Sequence, residues 1–498
     1  MRSRVPGGWW TAALVAVATL TVVVLVLTLL GRLPGTGPSS SAAATTSTSA
    51  TASTPRATPS DGGVTVLEPV GAAGPIPTTG ALARLLGPLL AQPALGPHVG
   101  AAVTDLATGH LLYGRHALAG YEPASTTKLL TAAAALSTLG PTYRISTTVV
   151  AGARPGQVVI VGGGDPTLAT APVRGLVPAP ASLPALARAT AARLRAAGET
   201  AVVLQYDTGL FTGPATAPTW PPSYVASGIV APVSALTVDE GRVGLIAEGP
   251  APRVTDPALS AARAFARQLG RFGITVRGVP VHGRAPATAP PTVSPSASAS
   301  AVPVTPGTLL GTVRSPQLAD LVGWMLSTSD NDLAEALAHL VARAAGQPAS
   351  FAGGVAAVTN AVAELGLPVG GLALFDGSGL STQTRVAPAL LASVLASAAS
   401  ADHAPLRPLL TGLAVAGFTG SLEPPRFEAR GTGEARGLVR GKTGTLTGVS
   451  AIAGTVDDAD GRVLAFVFVA DRVPIGGTLP ARDALDRLAS AVAACGCG

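Results

Sequence analysis

The hydropathy pattern begins with one long apolar run. Trp9 to Leu30 carries no charged side chain, and a helix of that length rises about 33 Å at about 1.5 Å per residue, enough to cross a bilayer. Arg2 and Arg4 precede the run and Arg32 follows it closely, a bias that puts the N-terminus in the cytoplasm and the bulk of the chain outside. The first Ala-x-Ala, Ala42-Ala43-Ala44, lies far beyond the apolar end. The expectation is therefore an uncleaved single-pass signal anchor at 9–30 in the cell membrane, with a cytoplasmic tip at 1–8; a cleaved signal peptide is the competing reading. Residues 31–78 are rich in Ser, Thr, Ala, Pro and Gly with few large apolar side chains, the composition of a disordered linker.

Beyond the linker the pattern changes from run to run. Val99 to Asp105, a turn at Ala107-Thr108-Gly109, and His110 to Tyr113 predict a β-hairpin. Thr126 to Leu139 has the Ala/Leu character of a helix stopped by Gly140-Pro141. Between Ser146 and Val281, short strand-like runs (Val158–Val161, Ala201–Tyr206, Val243–Ala247, Ile274–Val276) alternate with helical ones, clearest at Leu183–Ala197 and Pro257–Phe272. A second Pro/Ser-rich stretch, Ala285 to Pro306, marks a boundary. A helix-rich half follows Gln317, and Val449–Thr455 and Val463–Ala470 predict closing strands. The class is α+β, with an antiparallel sheet favoured. The expected organisation is one domain split between 79–145 and 307–490, interrupted by an insert at 146–306.

Composition narrows the function. Charged residues are only 12% of the chain, with no Lys/Arg run and no basic stripe interleaved with aromatics, so nucleic-acid binding is not expected. The two cysteines, Cys495 and Cys497, sit at the extreme C-terminus. A bridge between such close neighbours would be strained and could not staple the core, which leaves intermolecular pairing as the guess. The six histidines show no metal-ligand spacing, so no metal and no other cofactor is expected.

The informative scarcity is lysine. Only Lys128 and Lys442 occur, Arg supplying every other basic charge. An ammonium can lose its proton when buried and a guanidinium cannot, so lysine is retained where protons are handled. Both lysines sit in motifs: Ser125-Thr126-Thr127-Lys128 and Lys442-Thr443-Gly444-Thr445. Ser125 and Lys128 share a helical face at spacing three, beside a helix N-terminus that favours developing negative charge. Between the motifs lies Ser329-Asp330-Asn331 at the head of an Ala/Leu-rich helical run. Taken singly, these are a surface helix pair, a helix N-cap and a turn into an edge strand. Asp165 and Asp376, each in a Gly-rich turn, are taken as structural, and Ser378 does not meet the G-x-S-x-G pattern.

The ordered trio S-x-x-K, S-D-N, K-T-G is the signature of the serine β-lactamase and penicillin-binding protein group. The long stretch between Ser125 and Ser329 departs from class A β-lactamases. With Gly162–Leu168, Tyr206–Phe211, Trp220, Ala231–Leu236 and Asp376–Ser381, the chain resembles the D-alanyl-D-alanine carboxypeptidase/endopeptidase family, peptidase family S13, from about Ala81 to Val473. That resemblance implies a β-lactamase/transpeptidase-like catalytic domain, an antiparallel sheet flanked by helices, carrying a large inserted domain. It implies peptidoglycan stem peptides as substrates and β-lactams as inhibitors. Ser125 is the implied nucleophile and Lys128 its base. Ser329, linked to Lys442, would return the proton to the leaving D-alanine, and Asn331 would hold the substrate amide and orient Lys128. Thr443, Gly444 and Thr445 would bind the substrate, with the terminal carboxylate held by the two threonine hydroxyls and the Lys442 charge. Backbone N–H groups of Ser125 and Thr445 would form the oxyanion hole. A β-lactamase or esterase on the same scaffold and a non-catalytic wall-binding protein are the competing readings.

Overall fold

A computed structural model describes residues 74–173, 177–246, 249–287 and 304–498. The predicted anchor at 9–30 and most of the linker lie outside the described residues, as do residues 288–303 of the second Pro/Ser-rich stretch. Among the described residues, no helix is long and apolar enough to cross a membrane.

The first sheet is antiparallel, in the order β2-β1-β12-β11-β10-β9. Its strands are β1 (Val99–Asp105), β2 (Leu111–Arg115), β9 (Ala414–Val415), β10 (Arg440–Leu446), β11 (Val449–Asp457) and β12 (Val463–Ala470). The chain's first and last long strands, β1 and β12, pair from Val99↔Ala470 to Asp105↔Leu464. Both faces of the sheet are covered, which is why β11 and β12 read as nearly unbroken apolar runs. Phe466 and Phe468 point into a layer formed by α1 (Thr79–Leu90) and the C-terminal helix. Their neighbours Ala465 and Val467 point into the helical core on the other side. This is the two-residue period of a strand buried twice. The helical core is built around α2 (Lys128–Leu139), whose residues 128–136 are all buried. Its run of four alanines lets neighbouring helices approach closely, and Gly140 at φ +81 ends it.

The second sheet has the order β6-β5-β4-β3-β8, with β7 also paired to β5. It comprises β3 (Ser146–Ala151), β4 (Gln157–Val161), β5 (Ala201–Asp207), β6 (Thr275–Val276), β7 (Val281–His282) and β8 (Leu309–Arg314). Here the antiparallel expectation gives way to a mixed sheet. β4 and β5 are parallel, as are β5 and β6, because α3 (Leu183–Ala196) and α4 (Pro257–Arg271) connect them as crossovers. β8 pairs with β3, so this sheet continues past residue 306. The strand expected at Val243–Ala247 is absent over 243–246: Gly244 has φ +134, and the apolar Val243 and Leu245 face solvent. The remaining long helices, which pack beside the first sheet, are α5 (Leu318–Thr328), α6 (Asn331–Ala344), α7 (Phe351–Glu364), α8 (Pro388–Ala399) and α9 (Thr478–Ala493). Cys495 and Cys497 are bonded to each other within the chain, correcting the intermolecular guess. Cys495 is buried against the α1/α9 layer, and the Cys497 carbonyl accepts from Thr78 N–H at 3.1 Å, so the tail is tied down locally.

Candidate active site

Ser125 stands in a 3-10 turn, Ala124–Thr127, that leads directly into α2. The turn is pinned from within: Thr126 Oγ1 donates to Pro123 O (2.8 Å) and Thr127 Oγ1 to Ala124 O (2.9 Å). Ala124 takes φ +47, a left-handed conformation that costs a non-glycine residue of order 1 kcal/mol or more and collects at functional turns. Lys128, the first residue of α2, is completely buried. Its Nζ donates to Ser125 Oγ (2.9 Å), Asn331 Oδ1 (2.8 Å) and Ser378 O (2.8 Å), which uses all three protons of an ammonium. Burial lowers its pKa to about 8, against the opposing pull of Glu335, Asp376, Asp330 and Asp332. A lysine so placed can take a proton from the hydroxyl it touches.

The S-D-N motif divides its labour between two helices. Ser329 closes α5 in a left-handed conformation (φ +66). Asp330 caps α6, accepting from Leu333 N–H at 2.8 Å, so the helix-cap reading of this residue also holds. Asn331 opens α6, and its Nδ2 donates to Ile229 O of the insert at 3.0 Å, fixing the amide so that Oδ1 faces Lys128.

The third motif lies on β10, the strand beside the nucleophile's turn. Gly444 has to be glycine: a Cβ there would sit 2.5 Å from Pro123 O and 3.3 Å from the Ala124 side chain. Lys442 is as buried as Lys128. Its Nζ donates to Thr443 O at 2.8 Å, and no hydrogen bond joins it to Ser329, so the expected Ser329–Lys442 link is not made. Burial, with the Lys128 charge second, pushes the Lys442 ammonium well below its ordinary pKa. Ser125, Ser329, Asn331 and Thr445 line one cleft of about 610 Å³.

Behind Lys128 sits a layer of acids. Glu335, on α6 and fully buried, accepts from Ser378 N–H (2.8 Å) and Gly377 N–H (3.0 Å). Asp376 accepts from Gly379 N–H (2.8 Å), Ser381 N–H (2.6 Å) and Trp220 Nε1 of the insert (2.7 Å). The loop 376–381 that presents the Ser378 carbonyl to Lys128 is therefore held from both sides. Burial, then the neighbouring Asp376, raises Glu335 above the ordinary carboxylate range. Asp376 is thus structural, as expected, closing its own turn and tying it to Trp220.

A second acidic group, Glu240, Asp330 and Asp332, converges in the cleft. Arg242 Nε meets Glu240 at 2.8 Å and Arg253 meets Asp332 at 3.0 Å. Burial nevertheless raises Asp332 to about 7 in spite of that guanidinium. Among the described residues this is the one group of carboxylates that could surround a metal ion, and two arginines already balance it.

The chain as a whole is similar to known proteins. The profile of the D-Ala-D-Ala carboxypeptidase 3 (S13) family matches residues 82–252 and 247–492, nearly the whole described region. The chain belongs to that family. It is 36% identical over 434 residues to the "Carboxypeptidase DacB" of Mycolicibacterium smegmatis, covering 86% of this chain and 87% of that one. It is 30% identical over 445 residues to a "D-alanyl-D-alanine carboxypeptidase" of an Actinomadura species, covering 76% and 79%. The crystal structure of penicillin binding protein 4 from Haemophilus influenzae superposes with a TM-score of 0.62 at 22% identity, over 82% of this chain and 97% of that one. The fold is accordingly α+β and transpeptidase-like. Within this S13 site, sequence reading gave no role to Glu335 or Arg482, and took Trp220 only as one of the residues that carry the resemblance. For Glu335 the available signal is a carboxylate within an Ala/Leu-rich helical run; Arg482 carries none.

Proposed function

We propose that Ser125 is the nucleophile of this serine D-Ala-D-Ala carboxypeptidase and Lys128 its general base. The observation that carries the reading is the 2.9 Å hydrogen bond between a fully buried lysine of lowered pKa and the Ser125 hydroxyl. In its neutral form Lys128 Nζ accepts the Ser125 proton as Oγ attacks the carbonyl between the two terminal D-alanines of a peptidoglycan stem peptide. Charge developing on the carbonyl oxygen is met by the backbone N–H groups of Ser125 and Thr445. The C–N bond breaks as the proton taken up by Lys128 passes through the Ser329 hydroxyl, which gives one proton and regains one, to the departing D-alanine amine, and water hydrolyses the acyl-enzyme. Asn331 keeps Lys128 aimed at Ser125. Penicillins acylate Ser125 by the same attack on the β-lactam carbonyl, and the stable adduct is the inhibited state.

The apolar run at 9–30 supports an N-terminal membrane anchor that holds the catalytic region outside the cytoplasm. Membrane fractionation and N-terminal sequencing of the full chain test this, and a mature start near Thr45 would refute it. The chemistry is tested by labelling with a fluorescent penicillin. The native chain acquires a stable adduct, located by peptide mass mapping at Ser125, and Ser125→Ala acquires none. Digestion of purified muropeptides releases D-alanine with the native enzyme alone. Rapid turnover of the penicillin would instead indicate a β-lactamase.

A further inference from the structure

The chain's net charge is concentrated in one layer. Residues 146–306 hold twelve arginines and seven acids, and so carry five of the six net positive charges. Within them, α3 and α4 lie side by side on the second sheet and bury Leu186, Leu194, Phe265 and Leu269 against it. Arg188, Arg193 and Arg195 stand on α3, Arg263, Arg267 and Arg271 on α4, and Arg277 follows β6; all seven are exposed. The acids within 183–200 and 256–277 are Glu199 and Asp256. Asp256 caps α4, accepting from Leu259 N–H at 2.9 Å. No ion pair reaches any of the seven arginines among the described residues.

Helix chemistry accounts for part of this layer. Arg193, Arg195 and Arg271 lie in last turns, where a cation complements the helix dipole. Arg188, Arg263 and Arg267 do not. Arg263, Arg267 and Arg271 recur every four residues, a stripe with steps of about 6 Å along the helix axis. Like charges at that spacing repel and weaken a helix, so the stripe does not serve α4 itself. Arg195 Nη1 donates to Phe272 O, just past the end of α4, so the charges of the two helices converge there. None of the seven lines the cleft around Ser125.

We propose that this face docks an anionic polymer of the cell wall whose charges are phosphodiesters. The proposal rests on the carboxypeptidase reading, which puts the enzyme at the wall. A guanidinium offers paired N–H groups that fit phosphate oxygens and keeps its charge at any working pH. A row of them at regular steps suits a partner with repeated anions along one chain, better than a stem peptide whose carboxylates are few and clustered. A membrane surface fits less well, because no large apolar side chain of α3 or α4 is exposed to enter it. Docked in this way, the enzyme meets stem peptides at a raised effective concentration.

The test uses the full chain in detergent, with immobilised poly(glycerol phosphate) as the probe. Arg188→Gln/Arg263→Gln/Arg267→Gln should weaken binding by about tenfold or more and flatten its dependence on salt. Arg343→Gln/Arg407→Gln/Arg430→Gln removes the same charge from exposed arginines elsewhere and should change neither. Equal losses in the two variants would make net charge the cause, and absence of native binding would refute the docking surface outright. Vesicles of phosphatidylcholine and phosphatidylglycerol in equal parts test the membrane: tighter binding to them than to the polymer, lost with the first variant, would also overturn the proposal. Release of D-alanine from sacculi that retain their phosphodiester-linked polymers should fall several-fold in the first variant. Release from a soluble D-Ala-D-Ala peptide and labelling by penicillin should not change. Stripping the sacculi with hydrofluoric acid should abolish the difference between native and variant; a difference that survives stripping would assign the anions to peptidoglycan and sink the proposal. A native chain that binds the polymer but gains no penicillin adduct would instead fail the catalytic reading, so the two failures are distinct.

Discussion

At the residue scale, the two lysines are a matched pair. Both are fully buried, both donate to backbone carbonyls, and both have ammonium forms disfavoured by burial. Replacing either with Arg forces a larger, permanently charged group into a closed slot, at a cost of about 1–3 kcal/mol. That penalty is common to the pair, so the difference between them reports chemistry. Lys128→Arg should lower penicillin acylation by about 1,000-fold or more, since a guanidinium cannot accept the Ser125 proton. Lys442→Arg should cost far less, at similar melting temperature. Equal losses in stopped-flow acylation would mean that Lys442 shares the proton work. The lysine scarcity made this pair legible without any structure. Glu335 was not legible: a carboxylate in a helical run, it gains its place only when the loop 376–381 folds onto it and Gly377 and Ser378 donate to it.

At the scale of elements, the site depends on how closely β10 approaches the turn that opens α2. Gly444→Ala places a methyl 2.5 Å from the Pro123 carbonyl, where backbone and not a flexible side chain must give. We expect Ser125 to be displaced, acylation to fall by about 100-fold, and stability to drop by about 1–3 kcal/mol. Gly441→Ala, on the same strand with its nearest neighbour atom 3.3 Å away, is the control and should be milder on both measures. The hairpin, α2 and the closing strands were readable because their period or their stop signals are local. The mixed character of the second sheet was not, since strands of two to seven residues carry no mark of direction, and the crossovers through α3 and α4 decide it. The strand misread at Val243–Ala247 shows the same limit: apolar residues there alternate as a strand would, but the pairing stops at one antiparallel bridge, Arg242↔Arg253, with Val243 N–H donating to Pro252 O, and no ladder forms over 243–246.

At the scale of the whole molecule, the insert supplies parts of the site's support. Ile229 O, Ala231 N–H, Trp220 Nε1 and the Arg253 guanidinium all engage residues around Lys128. Burial nevertheless dominates the electrostatics, although the Arg253 guanidinium and Ala231 N–H pull Asp332 the other way. Glu335 is raised to about 8 and Asp332 to about 7, so the folded state holds protons that the unfolded chain releases between about pH 4 and 8. Stability from these groups is therefore present at low pH and lost as pH rises through that window. Lys128 has the opposite sign. Lowered to about 8, it is deprotonated in the folded state before the unfolded chain follows at 10.5, so its contribution rises between those values. Glu335→Gln, which mimics the protonated acid, should flatten the fall in melting temperature between pH 5 and pH 8. It should also reduce acylation, because one of the two N–H groups holding the loop 376–381 loses its acceptor. Acylation by the native enzyme should climb with pH through about 8 as Lys128 becomes neutral. Removal of an opposing anion should shift that limb to lower pH in Glu335→Gln. A pH–rate profile left in place, with the melting curve flattened, would mean that Glu335 supports the loop without acting on Lys128.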